Sequence, residues 1–212
     1  MSLASALLAL RLGGLLLARR SGRFAAWGAG LLCYAAASAA LAWGAAAGWD
    51  DRVFRVYYLF GALLTAPLLG LGSLLLVGVR RAVAPVLVYA GLALGVSISE
   101  PLTAHVTGER IPEAQAHLDV LPARLLAIVG NSLGTLAVVA IAVVTFRRRP
   151  VRNVLLLAGI AVAAAGSAVA GLGEARTAVF GAVAVALLYG GVAGPPSVRL
   201  KARRRPVSLD AG

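Results

Sequence analysis

Long apolar stretches, broken by short polar or basic connections, run along almost the whole chain. Seven of them meet or approach the roughly 20 residues that a helix needs to cross about 30 Å of hydrocarbon. They cover residues 2–18, 24–48, 54–79, 82–99, 121–146, 151–171 and 176–194. The pattern predicts an all-α, polytopic transmembrane helix bundle of seven spans.

The first stretch is the weakest of the seven. It is about 17 residues long, holds Arg11 near its middle and lacks the basic start of a cleavable signal peptide. It is interpreted either as a span with its N-terminus outside or as an interfacial helix on the inner surface below six true spans. The other six stretches keep their orientation under both interpretations.

Basic residues are concentrated in every second connection. Because Lys and Arg near span ends are retained in the cytoplasm, we expect the N-terminus outside and the C-terminus inside. Seven of the eight acids lie on the opposite side, which agrees with this orientation. The 14 residues on the inner side are Arg19, Arg20, Arg23, Arg80, Arg81, Arg147, Arg148, Arg149, Arg152, Arg199, Lys201, Arg203, Arg204 and Arg205.

Composition changes this picture little. The 212 residues are 60% hydrophobic and 13% charged, which excludes a single soluble domain. We expect a seven-helix domain over residues 1–195, with an outer loop at about 101–120, and a cytoplasmic polybasic tail at 196–212. The tail is expected to contact anionic lipids of the inner leaflet. Nucleic acid is not an expected partner, because no folded basic domain presents these residues.

Arg11 is the costliest residue to place in lipid. A cation near the bilayer centre costs about 3 kcal/mol on insertion scales, so Arg11 is expected to face the bundle or a water-filled cavity and to find a partner. Glu100, near the outer end of the fourth span, is the best-placed acid, and Asn131 is a neutral candidate. A structural pair or simple snorkelling is the plainer interpretation, and a substrate or proton path is the functional one.

Two further polar positions interrupt apolar helices. Thr65 precedes Ala66-Pro67 in the third span, and Asn131 begins a polar, Gly-bearing patch in the fifth. Such interruptions free backbone carbonyls and can line a binding cavity, although hydroxyls and Pro are also routine in membrane helices. The candidate lining of a binding site is therefore Arg11, Thr65, Glu100 and Asn131.

The outer loop carries weak candidates for metal ligands, spaced four residues apart, while Gly108 and Pro112 argue against one continuous helix through them. A solvated loop is the plainer interpretation, and no metal or cofactor is predicted. The single Cys33 excludes an internal disulfide and a cysteine-based metal site. No catalytic residue is assigned. The weak candidates for metal ligands in the outer loop are His105, Glu109, Glu113 and His117.

Part of the sequence resembles a known group of proteins. The stretch at residues 54–73, FRVYYLFGALLTAPLLGLGS, the stretch at 121–131, LPARLLAIVGN, and the helix around Ala158-Gly159 are similar to seven-helix integral membrane proteins of high-GC Gram-positive bacteria. No activity, cofactor or catalytic residue is known for that group. The resemblance implies a bacterial plasma-membrane location and no mechanism.

The functional expectation is correspondingly broad. We expect a multi-pass protein that binds or transports a small solute or lipid within the helix bundle. The alternative is a structural or sensory membrane module that acts through protein partners, and an oligomer is compatible with both. A membrane enzyme ranks third, since it would need the outer His and acidic groups to converge on one pocket.

Overall fold

The computed structural model describes residues 2–18, 21–108, 110–148, 150–151, 153–155, 157–159, 162, 183–184, 186–188 and 190. These residues are almost all helical and contain no β-strand, which confirms the all-α class. The helices are α1 (Ser2–Leu17), α2 (Gly22–Ala47), α3 (Asp51–Leu76), α4 (Arg80–Ser99), α5 (Ala114–His117) and α6 (Val120–Val144).

Four of these helices, α2, α3, α4 and α6, are long and apolar enough to cross a membrane. They match the predicted spans at 24–48, 54–79, 82–99 and 121–146. Helix α1 has 16 residues, so it is about 24 Å long and falls short of the hydrocarbon thickness. Most of the sixth and seventh predicted spans, Pro195-Pro196 and the basic tail lie outside the described residues, so seven spans are not confirmed.

A tight turn joins α2 to α3. Gly48 has φ +87°, a conformation that favours glycine, and it ends α2. Asp50 then begins α3, because its carboxylate accepts hydrogen bonds from the backbone N–H groups of Arg52 and Val53, both at 2.8 Å. With so short a connection, α2 and α3 must run antiparallel.

The next two helix ends also follow from local sequence. Gly78 has φ +89° and sits in a Schellman turn, in which the N–H of Val79 bonds to the carbonyl of Leu74 at 3.0 Å. Helix α4 ends before Pro101, which holds Glu100 in an extended conformation with ψ 124°.

Helix α2 packs between α1 and α3. One of its faces packs against α1, where Ala9, Leu12 and Leu16 form a core cluster with Trp27 and other α2 residues. Another face packs against the second half of α3, which leaves no room for a side chain at Gly30 or Gly72. Because α1 lies alongside α2 over this length, it runs with the bundle rather than across its end.

Helices α4 and α6 form the opposite flank and expose apolar side chains. Of the 20 residues in α4, only Ala93 is buried. Large apolar surfaces of this kind are unstable in water and favourable in lipid, so they suit a membrane-facing flank. The exposed residues are Leu87, Val88, Leu92, Leu94, Ile98, Ile128, Leu133, Leu136, Val143 and Val144.

The alternation of the helices separates the charges of the described bundle. One end, called the acidic end, carries Asp50, Asp51, Glu100, Glu113 and Asp119. The other, called the basic end, carries Arg23, Arg80, Arg81, Arg147 and Arg148. The separation is the one that the basic connections predicted, and it leaves open which end faces the cytoplasm.

Candidate functional site

Arg55 joins two helices at the acidic end. It lies in the second turn of α3, and its guanidinium donates hydrogen bonds to the carbonyls of Ser97 at 2.6 Å and of Glu100 at 2.8 Å. The last carbonyls of a helix have no partner within the helix and carry partial negative charge. Arg55 therefore caps the C-terminus of α4.

Glu100 provides a second cap in the opposite direction. Its side chain is only 7% exposed, and its Oε2 atom accepts a hydrogen bond of 3.0 Å from the backbone N–H of Ala123, in the first turn of α6. A carboxylate at a helix N-terminus satisfies an unpaired N–H and faces the positive end of the helix dipole. Arg55 and Glu100 thus connect α3, α4 and α6.

The other carboxyl oxygen of Glu100 has no such partner. Its Oε1 atom is buried and makes no hydrogen bond. Beside it lies a cavity of about 10 Å³, which is near the lower limit for one water molecule. We call this cavity the Glu100 pocket; its lining is Phe54, Arg55, Tyr58, Val96, Ser97, Glu100, Leu118 and Ala123.

The charge state of Glu100 is set by opposing effects. Burial is the largest and raises the pKa of the carboxyl, since it disfavours the ionised form. The hydrogen bond from Ala123 lowers the pKa, the charge of Asp119 raises it, and the guanidinium of Arg55 lowers it. The net result is a pKa above the ordinary value, so Glu100 holds a proton more readily than a surface glutamate.

A second polar cluster lies in the middle of the helices, where Pro67 interrupts α3. Pro67 has no N–H, so it cannot donate to Leu63 in an α-helical turn or to Ala62 in a π-helical turn. Helix α3 is a π-helix over Tyr58–Leu64 and returns to an α-helix at Thr65–Leu76. Both carbonyls therefore need donors from elsewhere.

Neighbouring side chains supply these donors. Asn131 of α6 donates its Nδ2 to the Ala62 carbonyl at 2.7 Å. The hydroxyl of Tyr89, in α4, lies 3.0 Å from the carbonyls of Leu63 and Leu126, and its one proton serves one of them at a time. Thr65 donates to the Phe60 carbonyl at 2.6 Å. We call Thr65, Tyr89 and Asn131 the midspan cluster.

Glycines allow this cluster to close. A Cβ at Gly134 would overlap the backbone of Ala66 and lie 2.7 Å from the nitrogen of Pro67. A Cβ at Gly130 would overlap the ring of Tyr89. The backbones of α3 and α6 are thus in direct contact at this level, whereas α4 reaches α6 through the ring of Tyr89.

Two predicted lining residues, Thr65 and Asn131, therefore have structural partners. Their donors are directed at backbone carbonyls of α3. This matches the plainer interpretation, in which hydroxyl and amide groups satisfy an interrupted helix. A path for a solute at this level would have to break those hydrogen bonds first.

The expectation that Arg11 faces the bundle and finds a partner there is wrong, whereas the snorkelling interpretation stays a prediction. Within the part of the chain that the structure describes, Arg11 is exposed and has no hydrogen-bond or ionic partner. Its neighbours one turn away, Leu7 and Leu15, are also exposed, at 66% and 51%. The cause is the helical period, because Ala9, Leu12 and Leu16 occupy the face that packs on α2 and Arg11 falls on the opposite face.

The predicted pairing of Arg11 with Glu100 is wrong for the same reason. Glu100 is buried between α3, α4 and α6, whereas Arg11 projects from α1, which packs on α2. The cation that contacts Glu100 is Arg55, which donates to the backbone carbonyl of Glu100. Glu100 borders the Glu100 pocket described above.

The outer loop is packed onto the bundle. Val106 and Leu118 are buried in the core cluster at the acidic end, and the N–H of Trp49 bonds to the carbonyl of Gly108 at 2.8 Å. Gly108 has φ +113°, which agrees with the expected break in helix at this residue. The loop is therefore held in place rather than fully solvated.

The predicted ligand face of this loop is not assembled in the described residues. His105 Nδ1 lies 2.8 Å from Asp51 Oδ2, at the surface, whereas His117 Nδ1 lies 3.1 Å from the carbonyl of Ala104. Glu113 is exposed without such a contact, and Glu109 lies outside the described residues. Among the described side chains, no three His, Cys, Asp or Glu residues converge as metal ligands.

Sequence reasoning missed Arg55, Tyr58 and Tyr89. A tyrosine in the middle of an apolar span is a usable signal, because a buried hydroxyl needs a partner. Arg55 gave no such signal, since a basic residue near a span end is common. Its capping role depends on the meeting of α3 and α4, which is a tertiary feature.

No family model, curated protein or solved structure matches the chain. The resemblance to seven-helix proteins of high-GC Gram-positive bacteria stays a prediction.

Proposed function

We propose that the chain is a multi-pass protein of a bacterial plasma membrane that binds a small solute in the Glu100 pocket. In this proposal the acidic end faces outward and the basic end faces the cytoplasm, as the positive-inside rule favours. Helix α1 counts as a span, because it lies alongside α2 rather than across the end of the bundle. The pocket then opens toward the outer aqueous phase.

The observation that carries the proposal is the unpartnered Oε1 atom of Glu100. A buried acceptor without a donor costs about 1–3 kcal/mol, and more when it is charged. The two hydrogen bonds that Arg55 donates go to backbone carbonyls at the end of α4, and the guanidinium does not donate to Oε1. A solute with an N–H or O–H group would recover the lost interaction.

Size and position narrow the class of solute. A volume of about 10 Å³ suits a ligand of the size of water or ammonium and excludes a lipid chain from the pocket. The midspan cluster argues for binding at the outer end instead of passage through the centre. We therefore favour a small hydrogen-bond donor, neutral or cationic, over a lipid.

Ligand-induced stabilisation tests this proposal. The full-length protein in nanodiscs would be titrated with ammonium while thermal unfolding is followed. A ligand present at 100 times its Kd stabilises by about 2.7 kcal/mol. We expect Tm to rise in the wild type and in the control D119N, whose carboxyl is exposed, but not in E100Q. Equal responses in wild type and E100Q would contradict the proposal.

A structural or sensory module is the second candidate. The observation that favours it is the midspan cluster, in which every donor is directed at a backbone carbonyl. Asn131 of α6 bonds to α3, Tyr89 of α4 bonds to α3 or α6, and Thr65 bonds within α3. Under this alternative, E100Q changes the stability of the protein, but no small solute raises the Tm of the wild type.

A further inference from the structure

Glu100 combines an ionisable group, a free buried oxygen and a water-sized cavity. We propose that Glu100 is a reversible proton-binding site, and that one water molecule in the Glu100 pocket carries the proton between Oε1 and the aqueous phase at the acidic end. This deepens the proposed function and rests on it for the location of the pocket. The titration itself requires no added solute.

The hydrogen bonds of Glu100 decide which oxygen takes the proton. Oε2 is occupied by the N–H of Ala123, whereas Oε1 has no partner. The cavity beside Oε1 has about the volume of one water molecule, and a water there would donate to Oε1. Proton transfer from hydronium converts the carboxylate to the acid and leaves one water molecule.

Charged groups from each packed element act on this carboxyl. Helix α3 contributes the cation Arg55, which favours the carboxylate, and the neutral hydroxyl of Tyr58. Asp119, just before α6, disfavours the carboxylate, and Arg124 of α6 acts on Tyr58 in the same pocket. Burial adds to the effect of Asp119, and together they hold the pKa of Glu100 above its ordinary value.

Protonation has a structural consequence. The ionised carboxylate makes a charge-assisted hydrogen bond to Ala123, and such bonds are about twice as strong as neutral ones. Uptake of a proton weakens this cap at the start of α6, while the contacts of Arg55 with α4 stay in place. The proton state of Glu100 is thereby coupled to the junction between α4 and α6.

Infrared titration of the full-length protein tests the inference. Wild type, E100Q and D119N would be placed in nanodiscs of phosphatidylethanolamine and phosphatidylglycerol, and difference spectra would be recorded from neutral to acidic pH. We expect a protonated-carboxyl band with a midpoint above the ordinary glutamate value of 4.5. The band should be lost in E100Q and kept in D119N, with a lower midpoint in D119N because the charge of Asp119 raises the pKa of Glu100.

Two results would overturn the inference: a band that persists unchanged in E100Q, or a midpoint at or below 4.5 in the wild type. If E100Q does not fold, E100D keeps a carboxyl, and its band should shift in frequency and midpoint. Failure of the solute-induced rise in Tm, with titration of Glu100 intact, would reject only the proposed function. Solute binding without titration would reject only the proton site.

Discussion

The carbonyls left free by Pro67 allow a sharp test of the midspan cluster. Replacing Asn131 with Leu keeps a similar volume but removes the donor to Ala62 at 2.7 Å. Replacing Pro67 with Ala restores the backbone N–H that the interrupted turn lacks. If Asn131 compensates for Pro67, the two substitutions must be coupled.

The magnitude follows from the cost of an unpaired carbonyl. Losing a buried hydrogen-bond partner costs about 1–3 kcal/mol in proteins generally. Interhelical hydrogen bonds in membranes average about 0.6 kcal/mol and reach about 1.7, because the unfolded state in the membrane also finds partners. We therefore expect N131L to lower the free energy of unfolding by about 0.6–1.7 kcal/mol. In the P67A background the loss should shrink, with a coupling of at least about 0.5 kcal/mol.

Reversible unfolding of the full chain in mixed micelles, followed by circular dichroism, gives the free energy of unfolding of the wild type, N131L, P67A and the double variant. Ser132, the exposed polar neighbour of Asn131, provides the control, and S132A should change the free energy by less than about 0.5 kcal/mol. Strictly additive effects of N131L and P67A would refute the compensation. So would a loss in S132A as large as that in N131L.

Three further predictions test other contacts. G134A should lower Tm and expression, with a cost of about 1–3 kcal/mol from backbone overlap, whereas G91A, which meets open space, should be neutral or stabilising; thermal unfolding separates them. In the pH dependence of unfolding, the raised pKa of Glu100 makes the folded state bind more protons than the unfolded state. The wild type should then lose stability relative to E100Q as pH rises from 4.5 through the raised pKa, and a gain would contradict the sign. R11L should leave the unfolding free energy unchanged or raise it, because it removes an exposed cation from α1, which is proposed to span the membrane, and a loss would reveal a contact of Arg11.

The helices themselves follow closely from sequence. The bounds of the apolar stretches predict α2, α3, α4 and α6 to within a few residues. Helices end in the structure next to Gly48, Gly78 and Pro101, which are residues that commonly end helices. These features depend on interactions within a few positions along the chain. The separation of acidic and basic ends also follows from the sequence, because successive long helices alternate in direction.

The contacts between helices were harder to predict. The direction of the Arg11 side chain depends on which face of α1 packs against α2. Several faces of α1 are similarly apolar, so the sequence does not identify the packing face. The meeting of Arg55 with the end of α4, and of Glu100 with the start of α6, depends on lateral helix order. A polar residue within a span indicates that a partner exists but does not identify it.

The central claim is that the Glu100 pocket lies at the outer aqueous end of a multi-pass bundle. Single cysteines at Thr107, in the loop of the acidic end, and at Val79, in the turn of the basic end, test it in a C33A background. A membrane-impermeant maleimide applied to intact cells should label T107C at once and V79C only after permeabilisation. Labelling of both from the same side, or of V79C alone in intact cells, would contradict the account.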